Sequence, residues 1–134
     1  MTATWLTLAK ETIERHARVL QGVADRLGDE VVRAAQLLLE CRGKVFVAGV
    51  GTSHAVAWRC AHLLSCSGVP AVFLHPGDAL HGGSGAINGE DVVILISKGG
   101  RSDDVNKLAH IARGAGATTV AITGTPDNPL AQLV

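Results

Sequence analysis

Two short stretches of this chain set glycines beside hydroxyls, a pairing suited to binding an anion. The first is Gly49–His54, GVGTSH, and the second is Ser97–Asp104, SKGGRSDD. Each follows an apolar run and precedes a segment of helical character. In the first, Gly49 and Gly51 permit a tight turn and close approach of a ligand to the backbone, and Thr52 and Ser53 stand where a helix begins. In the second, Ser97 closes the apolar run, Gly99 and Gly100 free the backbone, and Ser102 starts a helix with Asp103 and Asp104 in its first turn. Bare N–H groups and the helix dipole both favour negative charge at such a junction. Gly51, Thr52, Ser53, Ser97, Gly99, Gly100 and Ser102 are therefore candidates to hydrogen-bond a phosphate monoester without covalent attachment. Lys98 and Arg101 flank the glycines of the second stretch and either add charge to a phosphate or carboxylate or face solvent. The plainer reading makes Ser53 and Ser102 ordinary helix N-caps and the glycines ordinary turns. Two such loops flanking one crevice favour the ligand.

A third stretch, HPGDALHGGSG from His75 to Gly85, carries titratable groups. Moving a proton between two carbons needs a base and an acid, and an imidazole titrating near about 6.5 suits either role. His81 is the first candidate for a catalytic group and His75 the second. Asp78, between them, serves as a base or orients His81. The plainer reading has His75 capping a strand end and His81 ordering its own loop. His54, His75 and His81 together lack close metal-ligand spacing, so no metal is expected. His16, His62 and His110 lie on predicted helices and read as surface or packing residues. Glu90 and Asp91 sit in a turn before a strand and read as solvated. Cys60 and Cys66 are six apart on one helix and do not share a face, and with Cys41 they read as structural.

No cofactor is expected. The first loop lacks the third glycine of a dinucleotide fingerprint, and His75 stands where an acidic residue would close the next strand. No Gly-Lys-Ser/Thr is present, which excludes a Walker A loop. Twelve basic residues balance twelve acidic ones, arguing against nucleic acid or an anionic membrane as partner. No apolar run approaches the roughly 20 residues of a membrane span, and the N-terminus lacks the pattern of a signal peptide. Three cysteines make no disulfide framework, so a cytoplasmic home is expected.

The elements that must position these loops follow from periodicity. With 47% hydrophobic and 18% charged residues, the 134-residue chain reads as one globular domain. Ile13, Ala17, Leu20, Ala24 and Leu27 predict an amphipathic helix over 7–27. A second follows at 30–41, with Gly28 as C-cap of the first helix and Asp29 as N-cap of the second. Continuous apolar runs predict strands at 45–49, 71–74, 92–97 and 118–123, and helices are predicted at 54–66 and 102–113. A Gly- and His-rich connection links 75–91, and NPLAQLV at the end reads as a short helical piece. The alternation predicts an α/β three-layer sandwich with a mostly parallel, flavodoxin-like sheet, preceded by two N-terminal helices. The strand at 118–123 would be a bare edge, which either a partner covers or a continuation beyond Val134 completes.

The order GVGTSH, FLHPGDALHGG, DVVILISKGGRSDD and AITGTPDNPLA resembles the SIS (sugar isomerase) domain family. It is most similar to the arabinose-5-phosphate isomerase branch, over about residues 44 to 133. The resemblance implies a five-stranded parallel sheet, oligomerisation (a homo-oligomer, dimer or tetramer) and a sugar phosphate bound at the strands' carboxyl ends. It makes Ser53, Ser97 and Ser102 the phosphate-side residues. It also divides the chain into lead-in helices over 1–43, packing on the domain or a partner subunit, and a phosphosugar-binding domain over 44–134. Departures from the branch are Thr52 in place of a Lys, Gly99 in place of a Ser, Arg101 in place of a Glu and Asp78 in place of a Glu. The segment that supplies a further His near the C-terminus is not in this sequence. The function this implies is an aldose–ketose sugar-phosphate isomerase working through an enediol. The rivals are a non-catalytic phosphosugar sensor, toward which Thr52, Gly99 and Arg101 lean, and an assembly module with a vestigial site.

Overall fold

The computed structural model describes residues 2–134. In chain order they form α1 (Thr2–Ala24), α2 (Asp29–Leu39), β1 (Val45–Gly49), α3 (Thr52–Cys66), β2 (Ala71–Phe73), α4 (Pro76–Leu80), a 3-10 turn at Gly83–Ala86, β3 (Val92–Ile96), α5 (Asp103–Gly114) and β4 (Thr118–Ile122). The chain divides into two compact units, one ending at Arg33 and the other running from Ala34 to Val134.

In the first unit α1 begins earlier than its apolar periodicity predicts and ends three residues sooner. Its exit tightens into 3-10 bonds, Arg26 N–H to Val23 O at 2.9 Å and Leu27 N–H to Ala24 O at 3.3 Å. Trp5, Leu6, Leu8, Ile13, Val19, Leu20 and Val23 are exposed along it. Asp29 is the first helical residue of α2, not its cap; Gly28 supplies the carbonyl for Val31 N–H at 3.1 Å.

In the second unit the sheet order is β2-β1-β3-β4, all parallel. Each residue of β1 and β3 is buried, which is why these strands read as unbroken apolar runs. Alternate residues serve opposite faces. Val45, Val47, Val92, Ile94 and Ile96 pack with Ala57 and Ala61 of α3. Phe46, Ala48, Val93 and Leu95 pack with Ala79 of α4 and Val105, Leu108, Ala109 and Ala112 of α5. Alanines at the helix contacts bring α3 and α5 close to the sheet, so a core with few aromatics still packs densely.

Three sequence expectations fail for local reasons. The connection after β2 is not irregular: Pro76 fits the first helical position of α4, and the His75 side chain caps it. The terminal NPLAQLV is a run of turns, because the Asn128 side chain takes Ala131 N–H at 3.0 Å and competes with helix propagation. Asp91 is 1% exposed rather than solvated. Its carboxylate accepts Lys44 N–H at 2.7 Å and Asn88 N–H at 2.8 Å, clasping the starts of β1 and β3.

Candidate functional site

The order 2-1-3-4 reverses between β1 and β3, and ligands of open α/β sheets bind outside the carboxyl ends at such a reversal. The two glycine–hydroxyl loops leave these two strands. Gly49 pairs with Ile96 at the ends of the ladder. A Cβ on Gly49 would lie 2.7 Å from Ser53 O and 3.1 Å from Ile96 O, so only glycine lets α3 start this close to the sheet. Gly51 takes the N-cap place of α3, putting Thr52 and Ser53 inside its first turn rather than at the cap. Ser102 does occupy the N-cap of α5, yet its hydroxyl makes no capping bond. The plain capping role is thus unfilled at both serines. Among the described residues, the hydroxyls of Thr52, Ser53, Ser97 and Ser102 have no protein partner.

The second loop is pinned from beneath by Asn106, Leu130 and Asn128, the last of these from the Thr123–Asn128 loop that also lies at a strand's carboxyl end. Gly100 has φ +62° and closes a turn onto Ser97 O at 3.2 Å. Its carbonyl accepts Asn106 Nδ2–H at 3.2 Å and Leu130 N–H at 3.1 Å. A side chain at Gly100 would overlap Asn128, which is buried and donates from Nδ2 to Thr125 O. Gly124 N–H reaches Lys98 O at 2.9 Å, so the loop after β4 braces the loop after β3. The available signal was Asn128 in a turn-rich TPDN string, where an Asn side chain often replaces backbone partners. Lys98, Gly99 and Arg101 are exposed, and among the described residues neither cation makes an ion pair.

The histidines separate. The His54 ring, in the first turn of α3, lies 4.5 Å from Phe73 and 5.4 Å from His75 between ring centroids. His75 Nδ1 accepts Gly77 N–H at 3.1 Å. His81 follows α4 and is exposed, joined to Asp78 only by its backbone N–H, at 3.1 Å to the Asp78 carbonyl. The Asp78 carboxylate therefore does not orient the His81 ring. Among the described residues no trio of His, Cys, Asp or Glu is grouped to hold a metal, and His54, His75 and His81 form no such set.

A model of the SIS domain matches residues 38–134. The chain belongs to the SIS domain family. This SIS chain is similar to the arabinose 5-phosphate isomerase GutQ of Escherichia coli strain K12, with 35% identity over 130 residues covering 97% of the chain and 40% of the relative. It is likewise similar to the arabinose 5-phosphate isomerase KdsD of Pseudomonas aeruginosa, with 36% identity over 124 residues covering 92% and 38%. The chain thus spans about 40% of the length of the curated relatives it matches. A solved Escherichia coli CFT073 protein in complex with a sugar-phosphate ligand superposes with a TM-score of 0.94 at 27% identity, covering 99% of this chain and 71% of that one. Where the family resemblance implies five strands, the described residues of this SIS domain hold four. No described helix is long and apolar enough to cross a membrane.

Proposed function

We propose that this SIS domain binds a sugar phosphate and serves an aldose–ketose isomerase working through an enediol. The reading is carried by one observation: two neighbouring central strands end in loops whose hydroxyls are left without protein partners, at the reversal of strand order. Relatives named as arabinose 5-phosphate isomerases support the same assignment. Ser53, Ser97 and Ser102, with the backbone of Gly51, Thr52, Gly99 and Gly100, hold the phosphate. Lys98, Arg101 and Asp78 make charge contacts around it. Phosphate binding lies remote from C1 and C2, so it positions the reacting end instead of reacting. His81, whose ring has no protein partner among the described residues, moves the proton between those carbons, with His75 beside the mouth. The assembly is a homo-oligomer, which the exposed apolar residues of α1 support, and its home is the cytoplasm.

Proton NMR of the chain with arabinose 5-phosphate in heavy water tests this. Exchange of a C1 or C2 proton for deuterium is expected, and His81→Ala should abolish exchange while keeping ligand-induced shifts. Absence of both signals refutes the reading. A sensor is the second reading, favoured because no protein group fixes the His81 ring; line broadening without exchange would establish it.

A further inference from the structure

His75 has a defined hydrogen-bonding state, and that state assigns it a role different from His81. Gly77 N–H can only donate, so the ring nitrogen that meets it at 3.1 Å must accept. Nδ1 therefore carries a lone pair, and the neutral ring carries its proton on Nε2. A Cβ on Gly77 would stand 3.1 Å from Nδ1 and 3.2 Å from Cε1, so the glycine is what lets the ring settle on the amide. The ring also has two aromatic neighbours, His54 at 5.4 Å and Phe73 at 6.3 Å between centroids. Nε2 has no protein partner among the described residues and is not among the buried unpartnered atoms, so it is open to solvent or a ligand. The residue stands directly beyond β2, whose neighbour β1 ends in the Gly49–His54 loop.

We propose that His75 is a fixed Nε2–H donor to an oxygen of the bound sugar phosphate, and not a base that takes a carbon proton; this rests on the phosphosugar reading above. To act as a base through Nε2, the ring must first move its proton to Nδ1. That proton would then face Gly77 N–H, and the cap of α4 would be lost. The arrangement favours donation, polarising a hydroxyl or carbonyl oxygen, and leaves proton abstraction to another group. His54 is a positioning residue here, holding the ring from the side.

The test is long-range proton–nitrogen correlation NMR on the full nitrogen-15-labelled chain, above the imidazole titration range, with and without arabinose 5-phosphate. His75→Asn assigns the signal; asparagine is itself a preferred N-cap, so the variant can keep the cap of α4 while losing the Nε2 donor and the ring's contacts with His54 and Phe73. The expected result is an unprotonated Nδ1 and a protonated Nε2 in the free chain. On adding the ligand, Nε2–H should shift, and His75→Asn should bind about tenfold more weakly while the chain still unfolds in one cooperative transition. A ring protonated at Nδ1, or one exchanging between both forms, overturns the proposal. So does a Nε2–H signal that stays still while the amides of Ser97 and Ser102 move. If no amide moves at all, the phosphosugar reading fails first, and the oxygen acceptor assigned to His75 falls with it.

Discussion

Gly100→Ala probes whether the loop after β3 is held in shape from below. At φ +62° an alanine pays roughly 1–2 kcal/mol for a left-handed backbone. Its Cβ would overlap the Asn128 amide and come within 2.8 Å of the Asn128 Cβ, so Asn128 must leave its seat. Asn128 then gives up its bond to Thr125 O and the one it accepts from Ala131 N–H, at about 1 kcal/mol each. The expected loss is roughly 3–4 kcal/mol, read from urea unfolding of the full chain. Asn128→Ala alone should lose about 2 kcal/mol, because the same two bonds disappear. The double variant should fall about 2 kcal/mol short of the sum, since those bonds can be lost only once. Additive losses would refute the reasoning, as would a Gly100→Ala chain destabilised by less than about 1 kcal/mol.

Ser97→Ala with Ser102→Ala should leave urea stability within about 0.5 kcal/mol, as neither hydroxyl has a protein partner, while weakening arabinose 5-phosphate binding at least tenfold by calorimetry. Asp91→Ala should destabilise by about 3 kcal/mol, because two backbone donors lose a charged acceptor, and its unfolding midpoint reports this directly. Burial pushes the Cys60 thiol up, so its thiolate forms at higher pH than an exposed thiol's. Maleimide labelling followed by mass spectrometry should find Cys66, which is exposed, modified before Cys60 at neutral pH, with Cys60 gaining as pH rises.

The central strands were legible because burial on both faces leaves a continuous apolar signature, and β1 was readable to the residue. Neighbouring loops were legible for the same reason: each apolar run announces the glycines and hydroxyls at its end. What escaped depended on partners distant in sequence. Asp91 and Asn128 look like turn residues in isolation; the Asn128 side chain bonds only its neighbours Thr125 and Ala131, and what sets the two apart is the return of Lys44 onto Asp91 and the packing of Gly100 on Asn128. α4 was missed because it has five residues and a histidine cap, too short for periodicity and outside the usual capping set. The meeting of His54 with His75 follows from the pairing of β1 with β2, which no local pattern reveals.

Asp91 and the serine loops occupy opposite ends of five-residue strands, separated by roughly 16 Å along the sheet. The foot of the sheet is therefore free to be reinforced without disturbing the ligand's surroundings. Substitutions that strengthen the β1–β3 clasp should raise the unfolding temperature while leaving affinity as it was. Gains in robustness erode activity where both draw on the same residues. Here geography separates them, and the lower rim is where a hardier version of this chain should be sought.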